Sequence, residues 1–110
     1  MFGSIVQRPD NIAILNGKTS VFKCELDSKK KRIDWIYIAP NAVREQQLSS
    51  GDILNISFSN RYVVNNYNEY SELKIDRTQT SDSGTYRCEE TGTQTSSRAD
   101  LTVIGKMDMF

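Results

Sequence analysis

At 110 residues the chain has room for one domain with a modest core and none for a second. Its 14 basic and 14 acidic residues cancel, so overall charge gives no argument for nucleic acid or an anionic membrane as a partner. With no histidine and only two cysteines, few residue types remain for acid–base, nucleophilic or metal chemistry.

In chain order, Ile5 to Leu15 contains Pro9 and then Ile12-Ala13-Ile14-Leu15 before Asn16-Gly17, which predicts an edge strand broken at the proline and closed by a turn. Lys18 to Leu26 predicts the next strand, in which Phe22, Cys24 and Leu26 alternate with charged residues and share the inner face. A polar loop from Asp27 to Arg32 leads to a strand over Ile33 to Ala39, with Trp35 inward. Pro40 to Asn60 is too long for a plain turn. Gln46-Gln47-Leu48 reads there as a strand, Ser49 to Asp52 as a turn, and Ile53 to Ile56 as a short edge strand.

Further strands are predicted over Arg61 to Val64, over Glu69 to Ile75 with Leu73 and Ile75 inward, and over Ala99 to Ile104. Tyr70 and Glu72 point to solvent in that reading, unless Tyr70 covers an edge. Thr78 to Ser83 forms a corner into Asp82-Ser83-Gly84-Thr85-Tyr86-Arg87-Cys88, where alternation puts Tyr86 and Cys88 on the core face and Thr85, Arg87 and Glu89 on the other. Cys24 and Cys88 are the only thiols and both sit mid-strand facing inward, so they pair and staple two sheets. The ring of Trp35 fits beside that bond. No internal repeat or heptad appears.

The order Cys24, Trp35, Arg61, Asp82, Tyr86, Cys88 resembles the V-type domain of the immunoglobulin superfamily, whose marks are this Cys–Trp–Cys spacing and a tyrosine corner. The resemblance covers nearly the whole chain, from Asn16-Gly17 to Leu101-Val103. It implies an all-β, antiparallel sandwich of V-type topology with an inter-sheet disulfide, in which residues 40–60 supply the two extra strands of a V-type sheet. It also implies a structural ion pair between Arg61 and Asp82. Antigen-receptor V domains carry F-G-x-G where this chain has Thr95-Ser96-Ser97-Arg98, which moves the likeness from receptor-type chain pairing toward adhesion and recognition proteins. Arg61-Tyr62 through Cys88 is similar to invertebrate neural adhesion domains of the lachesin kind.

Several residues are candidates for a site. Ile36 and Ile38 fall on the opposite parity from Trp35 and are expected on the outer face of the sheet that also holds Arg87 and Glu89. Either a partner covers them, with Leu48 joining the contact and Arg87 and Glu89 forming a polar rim, or residues 40–50 fold over them. Lys29-Lys30-Lys31-Arg32 is a run of four cations that is either solvated or holds an anionic glycan, with Asp27 and Asp34 diluting its field. Asn55-Ile56-Ser57 is an N-glycosylation sequon that would shield the short edge strand. Glu89 to Ser97 reads as a connection between strands, a loop that often touches ligands in the family.

Catalysis finds no support, no cofactor or phosphate-loop motif is present, and a metal site would have to be built from carboxylates alone. Two cysteines placed to pair across a sandwich argue for an oxidising, extracellular setting. Met1 does not open a signal peptide and no apolar run approaches membrane-spanning length, so a domain cut from a larger secreted or membrane-anchored protein is expected. The function expected is extracellular recognition of another protein, or of a second copy, through the outer face of the sheet formed around Trp35, Leu48, Cys88 and 99–104. Its rival is an anionic glycan held by Lys29 to Arg32 at the loop tips.

Overall fold

In the computed structural model, residues 5–26, 32–41, 44–51, 53–55, 60–67, 70–92 and 95–105 are described, the side chains of residues 6, 7 and 26 excepted. The strands are β1 (Ile5–Gln7), β2 (Ile12–Leu15), β3 (Ser20–Leu26), β4 (Ile33–Ile38), β5 (Glu45–Ser50), β6 (Ile53–Leu54), β7 (Tyr62–Asn66), β8 (Tyr70–Ile75), β9 (Gly84–Glu90) and β10 (Ser96–Ile104). One sheet runs β1-β3-β8-β7 and the other β2-β10-β9-β4-β5-β6. Pro9, itself buried, falls where the chain leaves the first sheet for the second. A proline cannot donate to a ladder, so the edge strand divides there into β1 and β2.

Alternation supplies the core. Phe22 and Cys24 from β3, Leu73 and Ile75 from β8, Trp35 and Tyr37 from β4, Tyr86 and Cys88 from β9, and Ala99, Leu101 and Val103 from β10 form one apolar cluster between the sheets. The Cys24–Cys88 disulfide joins β3 to β9 across it. In register, Cys24 lies opposite Ser71 and Cys88 opposite Trp35. The indole N–H of Trp35 donates to Ser71 Oγ at 2.9 Å, so a second link crosses the sandwich at the level of the disulfide. Phe22 stacks on Tyr86 at 5.1 Å between ring centres, filling the space beside it.

Several boundaries differ from the sequence reading: β5 runs on through Ser49 and Ser50, expected in a turn, β6 ends at Leu54, and β7 runs on past Val64 to Asn66. β10 begins at Ser96 rather than near Ala99, because Ser96, Ser97 and Arg98 pair with Glu89, Cys88 and Arg87. The polar composition of these residues reads as loop, but the ladder holds them as strand, and the connection from β9 shrinks accordingly. β5 also differs in register, for Trp35 pairs with Ser49 but Ile36 pairs with Gln47. Leu48 is therefore the extra residue of a bulge, and Leu48 and Ser49 are both buried.

This bulge corrects the expectation that Leu48 faces a partner. In a regular ladder Leu48 would stand opposite Ile36 on the outer face, whereas the bulge turns it into the core cluster at 0% exposure. Leu48→Ala is expected to lower stability by about 2–5 kcal/mol, the cost of emptying a core site, read as a shifted urea midpoint at unchanged slope. A leucine on an exposed face would leave the midpoint where it was.

Candidate functional site

Two clusters of charge emerge from these strands, and they do different work. The first sits at the corner before β9. There the Asp82 carboxylate, buried at 4% exposure, accepts four hydrogen bonds: from Arg61 Nη1 (2.7 Å) and Nη2 (2.9 Å), from the Tyr62 hydroxyl (2.6 Å) and from the Gln79 backbone N–H (2.7 Å). The Tyr86 hydroxyl donates to the Asp82 carbonyl at 2.6 Å, which closes the tyrosine corner. Tyr37 donates to the Ser83 carbonyl at 2.7 Å. Burial pushes the Asp82 carboxyl up, but the bonds from Arg61, Tyr62 and Gln79 outweigh it and hold the pKa below the ordinary carboxylate range. Burial raises the hydroxyls of Tyr62, Tyr86 and Tyr37.

Every lone pair of that carboxylate is occupied, so the Arg61–Asp82 pair expected from the resemblance is structural. The resemblance took in Tyr62 without giving it a role and left Tyr37 aside; the acceptors of both hydroxyls lie at the corner, far along the chain. Nothing local to either tyrosine signals those acceptors.

The second cluster lies on the outer face of the six-stranded sheet. Register sets out three rows across β5, β4, β9 and β10: Ser50, Asp34, Glu89, Ser96; then Gln47, Ile36, Arg87, Arg98; then Glu45, Ile38, Thr85, Asp100. Arg87 on β9 forms a bidentate pair with Glu45 on β5, at 2.5 and 2.8 Å. Because β4 lies between those strands, the pair is a strap across β4 that passes between Ile36 and Ile38. The hydrogen bond from Arg87 draws the Glu45 carboxyl below its ordinary range, and Arg98 adds to the effect. Glu89 approaches Arg87 at 3.9 Å.

The strap corrects a further expectation. Ile36 has the outer parity predicted for it, yet it is buried at 3% exposure beneath this polar layer, while Ile38 is half-buried. Of the two expected alternatives, cover for Ile36 comes from within residues 40–50, through Glu45 paired with Arg87, and not from a partner, while Ile38 stays half-buried. Arg87 and Glu89 are where the sequence placed them, at 15% and 30% side-chain exposure, and they form the layer itself rather than its rim. Glu45 had no sequence signal, since its role depends on a strand two places away.

Of the cationic run, Lys29, Lys30 and Lys31 lie outside the described residues. Arg32 is exposed, its carbonyl accepts from the Thr91 N–H at 2.9 Å, and its guanidinium rests against Gly51, whose φ of 57° favours glycine. Asn55 is exposed and its side-chain amide donates to the Gln47 carbonyl at 3.0 Å. Ile56 and Ser57, the rest of the sequon, lie outside the described residues.

The fold is thus a two-sheet sandwich with an inter-sheet disulfide, an indole beside it and a tyrosine corner. Residues 3–104 match the family model described as "Immunoglobulin I-set domain". The chain belongs to the immunoglobulin I-set family. The residues that suggested the V-type set lie in the core framework, and the assignment to a set comes from this match.

No curated protein matches the chain. Among solved structures, this I-set domain is similar to titin M4, at 26% identity and a TM-score of 0.69, covering 93% of this chain and 95% of that one. It also resembles a structure titled "IG27 protein domain", at 16% identity, a TM-score of 0.73, and 96% and 100% coverage. A third likeness is to a titin M10–obscurin-like 1 Ig complex, at 16% identity, a TM-score of 0.73, and 96% and 97% coverage. The last two carry the fold alone.

The corner makes stability depend on pH. Because the folded pKa of Asp82 is depressed, its contribution is fully present above the unfolded value near 3.8 and is lost as pH falls through the lower folded value. Asp82→Asn is expected to destabilise the I-set domain at neutral pH and to flatten the acid limb of its stability curve, measured by urea unfolding from pH 7 down to pH 2.

Proposed function

We propose that this domain is an extracellular protein-recognition module of a cell-surface adhesion or receptor protein, binding through the outer face of β4, β5, β9 and β10. One observation carries the reading: the Arg87–Glu45 strap fixes a charged layer over Ile36 and around the half-buried Ile38. Fixed charges of both signs select a partner by complementarity and set its register, and a half-buried aliphatic side chain among them adds contact area. The titin M10–obscurin-like 1 Ig complex supports the reading, since there a similar domain is held in complex with another protein. The strands β5 and β6, beyond β4 in the six-stranded sheet, support the two extra strands expected of V-type topology as part of it.

The Cys24–Cys88 bond supports an extracellular setting, because a cytosolic thiol pool would keep such a pair reduced. Glycosylation at Asn55 fits this reading. A glycan on its side-chain nitrogen leaves one N–H for the bond to Gln47 and shields the β6 edge, leaving β4 and β9 for the partner.

Two measurements test this. Sedimentation over a concentration series is expected to show self-association that Glu89→Lys weakens with folding intact; a monomer at all concentrations would remove the homophilic form and leave recognition of a different protein. Reducing the disulfide is expected to cost about 4 kcal/mol of unfolding free energy. A reduced domain as stable as the oxidised one would remove the argument for an oxidising compartment.

A further inference from the structure

The two edges of the six-stranded sheet are not equally closed. β10 runs from Ser96 to Ile104, but β2 pairs with it only from Leu101 onward, starting with Ile12 opposite Leu101. Upstream of that point, on the side away from β9, lies a polar groove lined by Arg8, Pro9, Asp10, Asn11, Ser96 and Arg98 among its walls. Pro9 turns the chain out of the first sheet before β2 begins, which leaves this part of β10 without a strand neighbour there among the described residues.

Alternation fixes which backbone groups face the groove. The Glu90 N–H donates to the Thr95 carbonyl at 2.9 Å, so residue 95 faces β9 and residues 96, 98 and 100 face the other way. Two bonds further along confirm the parity: the Asp100 N–H donates to Asn11 Oδ1 at 2.8 Å, and the Ile104 carbonyl accepts from the Asn16 N–H at 2.9 Å. The N–H and C=O of Ser96 and Arg98 therefore point into the groove, as a segment of open strand edge. Exposed edges of this kind are templates for a further strand, and proteins commonly blunt them with lysine, proline or a covering loop.

Charge narrows the choice of partner. Arg8 and Arg98 are exposed and neither forms an ion pair among the described residues, while Asp10 is the single carboxylate on the groove wall. The neighbour of Arg98 across the ladder is Arg87, whose own charge is taken up by Glu45.

We propose that the open edge of β10 at Ser96 and Arg98 is a strand-addition site for an extended acidic segment of a partner protein, whose backbone pairs with these residues and whose carboxylates reach Arg8 and Arg98. It deepens the protein-recognition reading and rests on it, placing a second contact at the sheet's edge as well as on its face. The main-chain bonds supply affinity and the two guanidiniums select acidic side chains.

The test uses the isotope-labelled domain and a short capped peptide alternating glutamate and valine, with a lysine–valine peptide as control. Expected are slowed amide exchange at Ser96 and Arg98 with the glutamate peptide alone, and about fivefold weaker binding in Arg98→Glu, the size of a lost exposed ion pair. Ser96→Pro deletes an N–H that points away from β9, so it leaves the ladder whole and is expected to abolish binding with the fold retained.

The proposal is overturned if neither peptide binds at millimolar concentration, if both bind alike, or if protection falls on the outer face of β4 and β9 with Ser96 and Arg98 unchanged. Self-association through Glu89 is read separately. A dimer without peptide binding leaves the recognition reading standing and removes the edge site.

Discussion

The Asp82 carboxylate is the constraint on which the rest of the sandwich depends. It is a buried charge, and such a charge is tolerable only when its desolvation is offset by donors with good geometry. Four donors converge on it from three residues at two places in the chain: Arg61 and Tyr62 at the start of β7, and Gln79 at the turn before β9. Satisfying one carboxylate therefore fixes the end of one sheet against the entry to the other. The Tyr86 hydroxyl, bonded to the carbonyl of the same residue, sets the height at which β9 enters the core.

From that corner the order propagates along β9. Tyr86 in position puts Cys88 at the level of Cys24 and Trp35, and the disulfide and the Trp35–Ser71 bond then hold the sheets together at mid-height. At the near end Gly84, with φ of 149°, lets β9 approach β4 so closely that a Cβ there would lie 2.6 Å from the Ile38 carbonyl oxygen. The outer face inherits this rigidity, since Arg87 and Glu45 can meet across β4 only if β9, β4 and β5 keep their spacing and register.

Much of this framework was legible in the sequence. Cys24, Tyr86 and Cys88 sit in stretches where apolar and polar residues alternate, so parity put them inside; Trp35, in an almost wholly apolar strand, was placed by its fit beside the disulfide, and Arg61 and Asp82 followed from the family likeness. What was not legible shares one physical cause, namely dependence on a strand that is remote in the chain. Ile36 had the correct parity but the wrong exposure, because its cover comes from Arg87 and Glu45. Leu48 had the wrong parity because a bulge leaves no mark in Gln47-Leu48-Ser49. Ser96 to Arg98 look like loop by composition and are strand only because β9 lies beside them. Tyr62 was read as part of a strand, yet its hydroxyl, aimed at a carboxylate twenty residues on, does as much as its ring.

The bulge at Leu48 also governs how this segment tolerates changes in length. Removing residue 48 would restore a regular ladder between β4 and β5 but take a filled side chain out of the core, whereas adding a residue would turn Ser49 and Ser50 to the opposite faces. Insertions and deletions in β5 are thus penalised in both directions, though only the two-residue β6 separates it from the sheet's margin. Among homologous chains, variation in length should gather in the turns on either side of β5 and leave the strand itself constant.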